Sequence, residues 1–151
     1  MLAGPRGPRG EQGPKGDAGS SDVLTVAGTV RPLAADKSVP ATVVTLNDVP
    51  AGDWLLLATG SIVYQDPGAS GSDYFRCWFT INGGPGIGAF VTRVGPDAAA
   101  AGALAVQAPV RLAAASTARL QCSHDEPLPA GNPRVDHVQF SAIRAGTLTT
   151  R

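Results

Sequence analysis

The sequence predicts an all-β, antiparallel sandwich, assembled as a homotrimer behind a short triple-helical stalk. Three observations carry that expectation. Glycine recurs at every third position from Gly4 to Gly19, six times without a break. Beyond it, short runs rich in Val, Leu, Thr and aromatics alternate with Gly/Pro/Asp clusters, the pattern of strands joined by turns. Several of those runs also alternate apolar with polar residues, as half-buried strands do.

The stalk comes first. Residues 4 to 21 read GPR-GPR-GEQ-GPK-GDA-GSS, with Gly4, Gly7, Gly10, Gly13, Gly16 and Gly19 in register. Three polyproline-like strands crowd a common axis that only glycine fits, and this period is the collagen signature. Pro5, Pro8 and Pro14 hold X positions, where a fixed φ lowers the entropy lost on ordering. Arg9-Gly10-Glu11 and Lys15-Gly16-Asp17 place a cation at Y and an anion at the next X, within reach of a staggered neighbouring chain. Such exposed pairs are worth less than about 1 kcal/mol each, but three strands repeat them. A flexible linker has no reason to keep this phase. Eighteen residues rise only roughly 55 Å at about 3.1 Å each. So short a rod needs an adjacent trimeriser, or is the C-terminal piece of a longer fibre. The division expected is therefore 1–21 as stalk and 22–151 as trimerising head.

The remaining residues suffice for one core. The chain is 43% hydrophobic and 16% charged, a globular rather than a disordered composition. Its formal net charge is zero, which argues against nucleic acid or an anionic membrane as partner, since both require a basic face. No run approaches the ~20 apolar residues of a membrane span, so membrane insertion is not expected.

Strands are expected near 23–30, 41–49, 53–64, 73–81, 87–94, 103–112, 117–123 and 137–148. Phe75, Cys77, Phe79 and Ile81 share one face of their strand; Tyr74, Arg76, Trp78 and Thr80 share the other. Leu120 and Cys122 oppose Arg119, Gln121 and Ser123, and Val138, Phe140 and Ala142 oppose His137, Gln139 and Ser141. Asn82-Gly83 predicts a hairpin turn. The alanine run at 98–101 is too short for more than one helical turn or a loop. Trp54-Leu55-Leu56-Leu57-Ala58 is apolar on both faces, so its outer side needs a cover, and a trimer supplies one.

Architecture and residues together resemble the complement-type globular head and the tumour-necrosis-factor-like jelly roll. The residues that carry the resemblance are the Val49-Pro50-Ala51-Gly52-Asp53-Trp54 turn, Gly60-Ser61, and the closing Val138-Gln139-Phe140-Ser141-Ala142-Ile143 strand. Bacterial and phage collagen-like proteins are similar, with a trimeric jelly-roll tip on a collagen-like shaft. The animal heads hold more aromatics than the eight found here, and usage rich in Ala, Gly and Val, with ten arginines to two lysines, suits a GC-rich bacterium or its phage. The resemblance implies a homotrimeric jelly roll at an extracellular or virion surface, as in a phage tail fibre, binding a cell-surface glycan or protein receptor. A purely structural trimeriser of a bacterial surface filament is the alternative. This chain carries no charged-then-apolar N-terminal signal, so it is expected to be either a trimmed piece or a protein released another way, as virion components are.

Candidate sites are few. Cys77 and Cys122 each stand mid-strand, either as a disulfide in an oxidising exterior or as two buried thiols. Neither is expected to act as a nucleophile. Tyr74, Arg76 and Trp78 form one face that suits either a sugar ligand or a protomer interface, where Trp, Tyr and Arg are enriched. His124 and His137, each beside carboxylates, are weak candidates for a metal, at a spacing that matches no metal motif. Asp66 and Asp73 lack the Asp-x-Asp-x-Asp-Gly order of a calcium loop. Gly84-Pro85-Gly86-Ile87-Gly88 lacks the Gly-Lys-Ser/Thr of a phosphate loop, and no serine elbow or His-Glu-x-x-His pair exists. No cofactor and no enzymatic activity are expected, and a trimer-borne hydrolase is the disfavoured third reading.

Overall fold

Two antiparallel sheets face each other across a shared core in a computed structural model that describes residues 22–33, 39–64, 72–95, 101–125, 133–146 and 148–149. The Gly-X-Y repeat lies outside the described residues, and so do residues 98–100 of the alanine run. Among the described residues there are nine strands: β1 (Val23–Ala27), β2 (Arg31–Pro32), β3 (Ala41–Val49), β4 (Gly52–Val63), β5 (Asp73–Ile81), β6 (Ile87–Val94), β7 (Ala101–Leu112), β8 (Ser116–His124) and β9 (Arg134–Arg144). One sheet runs β1-β9-β4-β7, with β2 also on β9; the other runs β3-β8-β5-β6. The expected strands correspond to these elements, with β2 in addition.

Alternation decides which side of each strand meets the core. Trp54, Leu56, Ala58 and Ile62 on β4 are fully buried, as are Phe75, Cys77 and Phe79 on β5 and Leu120 and Cys122 on β8. Val138, Phe140 and Ala142 do the same on β9. Phe79 and Phe140 stack across the gap between sheets, ring centroids 5.0 Å apart and planes 23° from parallel. The Val49-to-Trp54 turn is fixed by its own tryptophan, whose indole N–H donates to the Pro50 carbonyl at 2.9 Å.

The last strand departs from expectation. It begins at Arg134 rather than 137 and ends at Arg144 rather than 148. His137 takes a left-handed φ of 53°, and the register against β4 slips between Thr59 and Ser61. A bulge of this kind puts an extra residue on one strand and reverses its parity. Val135 and Asp136 are consequently both buried, so no simple alternation marks the strand's start.

The Asn82-Gly83 hairpin forms as expected. Both residues have positive φ (51° and 75°) and the Gly84 N–H donates to the Ile81 carbonyl at 2.8 Å, the geometry of a type I′ turn. Asn82 also bonds to β8, accepting from the Thr117 N–H at 2.8 Å and donating to Ser116 Oγ at 3.2 Å.

On one side of the sandwich β6 crosses close to β7. Gly88 has a φ of 65°, and a Cβ there would sit 2.7 Å from both the Gln107 carbonyl oxygen and the Ala108 Cβ. Gly88→Ala is therefore expected to destabilise by about 2–3 kcal/mol, from left-handed strain plus a backbone clash. Gly83→Ala, with a φ of 75° but open space around it, isolates the strain alone and should cost about 1 kcal/mol. Equal urea midpoints for the two variants would remove the steric part of this account.

Candidate functional site

The two sheets present outer faces of different chemistry. On β5, Tyr74, Arg76 and Trp78 point away from the core, as expected, and pairing supplies their neighbours. Across β8, Trp78 lies opposite Gln121, Arg76 opposite Ser123 and Thr80 opposite Arg119. On β3, Thr42 continues the Gln121 row and Thr45 the Arg119 row. On β6, Val91 flanks Arg76 and Arg93 flanks Tyr74. The face is thus a grid of hydroxyl, amide and guanidinium groups around two aromatic rings.

Two of its arginines are held in place. Arg76 grips Asp125 with both terminal nitrogens, Nη1 to Oδ1 at 2.6 Å and Nη2 to Oδ2 at 2.7 Å, a bidentate pairing. Arg93 donates to Ser72 Oγ and sets its guanidinium 5.7 Å from the Tyr74 ring centre, within cation–π range. Trp78 is half-buried because the β5–β6 loop backs it: a Cβ on Gly86 would lie 2.7 Å from Trp78 Cδ1. The ring is thereby fixed with part of its surface open.

The other face is apolar along one line. Val23, Ile143, Leu55 and Pro109 stand abreast in register across β1, β9, β4 and β7. Val23 is 56% exposed and Ile143 36%, while Leu55 and Leu57 are half-buried. These leucines alternate with the buried Trp54, Leu56 and Ala58, which explains the two-sided apolar run.

Beyond that line, at the sheet end where β4 starts, charges are paired off. Arg111 Nε meets Asp53 Oδ1 at 2.6 Å and Arg144 Nη1 meets Asp22 Oδ2 at 3.1 Å. Arg144 also stands 5.7 Å from the Trp54 ring centre. The hydrogen bond from Arg111, followed by one from the Leu148 N–H, lowers the Asp53 pKa from its ordinary value; the same pairing raises that of Arg111. The Leu148 bond, 3.1 Å long, fastens residues after β9 to this corner.

The remaining candidates separate. Cys77 and Cys122 are register partners on β5 and β8, 4.2 Å apart at Cα, and the structure joins them as a disulfide within the core. His124 is buried on β8, its Nδ1 3.1 Å from Asp73 Oδ2. His137 is exposed on β9, in the other sheet. The two histidines thus belong to different environments rather than one centre, and among the described residues no three His, Cys, Asp or Glu side chains gather as a metal group. Asp73 accepts from the Tyr74 and Asp125 N–H groups at 2.7 and 3.2 Å, a structural role at a strand end, and Asp66 lies outside the described residues.

Sequence reasoning placed Arg119 and Gln121 on an outward face but had no means of setting them beside Trp78, because strand pairing is non-local. Arg93 was absent from it, as was the Asp53–Arg111 pair. No helix among the described residues is long and apolar enough to cross a membrane. No protein-family model and no curated protein matches the chain. Among solved structures it is similar to an exo-β-1,3-galactanase from Phanerochaete chrysosporium determined with galactose, at 15% identity and a TM-score of 0.30, over 82% of this chain and 30% of that one. The chain spans less than a third of that enzyme's length, and a likeness of this degree carries nothing about activity.

Proposed function

We propose that this chain is the trimeric jelly-roll head of a collagen-like fibre, registering the shaft and offering a binding face to a cell-surface receptor or glycan. A phage tail-fibre tip is the setting that suits it best. The strand order β1-β9-β4-β7 over β3-β8-β5-β6, with both sheets antiparallel, supports the jelly roll. The observation that carries the trimer is the Gly-X-Y phase from Gly4 to Gly19, which demands three copies of the chain. The apolar line Val23–Ile143–Leu55–Pro109 is the surface that three copies would cover.

Assigning assembly to that sheet leaves the Tyr74, Arg76 and Trp78 face for a ligand. Three such faces on one shaft turn a weak contact into a strong one through effective concentration, which suits recognition of a repetitive cell surface.

Light scattering on the full chain tests the assembly. Three protomers of 15.3 kDa should give about 46 kDa, and residues 22–151 alone should also scatter as a trimer. A monomeric full chain would end the proposal. A trimeric full chain with a monomeric head would transfer assembly to the stalk and leave the apolar line without its assigned cover.

A further inference from the structure

Building on the β3-β8-β5-β6 face as the binding face, we propose that its ligand is a carboxylate-bearing glycan, a uronic-acid type of sugar, held by Arg119 and stacked on Trp78. The charge distribution points there. The chain is neutral as a whole, yet its pairing is uneven between the sheets. On the β1-β9-β4-β7 sheet, Arg111, Arg134 and Arg144 are matched by Asp53, Asp136 and Asp22, and Arg31 of β2 makes no ion pair among the described residues. Among the described residues of the opposite sheet, Arg76 is paired with Asp125, while Arg93 and Arg119 have no carboxylate partner. Asp125 is already engaged by Arg76. Arg119 makes no ion pair among the described residues. An arginine without a carboxylate partner among the described residues thus stands on the face that carries the half-open aromatic ring.

Arg119 is also suited by form. A guanidinium offers a planar fork of donors that matches a carboxylate in two parallel hydrogen bonds. It stands one row from Gln121 and Trp78, flanked by Thr45 and Thr80, so a sugar whose carboxylate meets Arg119 would have amide and hydroxyl groups beside it. Its ring could then lie against the indole, which Gly86 backs and holds in place. Thr80 adds an independent sign: it is 4% exposed, and its Oγ1 has no hydrogen-bond partner among the described residues. A buried hydroxyl without a partner in a polar patch calls for one. Four residues along β5, at about 3.4 Å each, place Tyr74 roughly 13 Å from Trp78. The second ring, under Arg93, therefore extends the face for an oligosaccharide rather than a single sugar.

The test is calorimetric titration of the full chain with three probes: an oligogalacturonate hexasaccharide, a neutral galactan oligosaccharide of equal length, and a sulfated galactan oligosaccharide without carboxylates. Oligogalacturonate should bind about tenfold or more tightly than neutral galactan. Arg119→Gln should remove about that factor, and Trp78→Ala should weaken both sugars. The substituted side chains are on the outer face, and unchanged melting temperatures will show that the variants fold. Equal affinity for the acidic and neutral sugars, unaffected by Arg119→Gln, would overturn the carboxylate inference and leave glycan binding standing. Binding of the sulfated probe alone would overturn it in favour of sulfate. A folded trimer that binds none of the three would overturn both this inference and the glycan part of the functional reading.

Discussion

Replacing Phe79 with alanine is expected to lower the free energy of unfolding by about 3–5 kcal/mol. Phe79 is fully buried on β5 and stacks on Phe140 of β9, so its ring ties one sheet to the other. Truncation removes that contact and leaves a cavity between two sheets whose hydrogen-bonded ladders resist collapse into it. Tyr74→Ala on the same strand is the control. Tyr74 is 46% exposed, and its loss should stay within about 1 kcal/mol, mostly the stacking with Arg93. Urea unfolding at one fixed protein concentration measures both, since any coupling to assembly makes stability concentration-dependent. Similar midpoints for the two variants would contradict the assigned parity of β5, and with it the placement of the proposed binding face.

That parity was legible in the chain because β5 is regular. From Asp73 to Phe79 the residues alternate strictly, so one glance separates Phe75, Cys77 and Phe79 from Tyr74, Arg76 and Trp78. Asn82-Gly83 was legible for a different reason: few sequences accept two consecutive positive φ angles, and those that do announce the turn. The opposite case is β9. The left-handed His137 shifts the phase, and the polar Arg134 and Asp136 lie inside the strand instead of before it.

The site was harder to read than the strands. Each strand's outward residues could be named, but a binding face is made by which strands lie side by side. Arg119 is 41 residues from Trp78 in sequence, and nothing local to either says that β8 runs beside β5. The cysteines offered the one link of that kind, since a Cys77–Cys122 bond would put those two strands in contact. With that register set, Gln121 necessarily falls opposite Trp78 and Arg119 opposite Thr80. His124 misled in the other direction. Beside Asp125 and Glu126 it reads as a surface ligand, yet strand parity turns it inward onto Asp73.

If the chain assembles as proposed, Leu55→Asp is expected to convert the trimer to monomers while leaving each sandwich folded. Leu55 sits in the middle of the line that runs from Val23 through Ile143 to Pro109, half-exposed in the single chain. Among the described residues Leu55 lies outside the buried core, so the substitution should cost the isolated fold no more than about 1 kcal/mol. In a trimer closed over this line the same aspartate would be stripped of water without a partner, a penalty of several kcal/mol per ion. Three copies enter one assembly, and the penalty is repeated in each. Dissociation should therefore move to protein concentrations at least about a hundredfold higher than for the unaltered chain, since 1.4 kcal/mol already corresponds to tenfold. Sedimentation equilibrium across a dilution series reads this directly, and loss of the triple-helical circular dichroism expected of the Gly-X-Y repeat gives a second signal. Trp78→Asp on the other sheet is the matched comparison. If it, rather than Leu55→Asp, breaks the trimer, the two faces exchange roles: the aromatic face becomes the interface, and the search for a ligand moves to the apolar line.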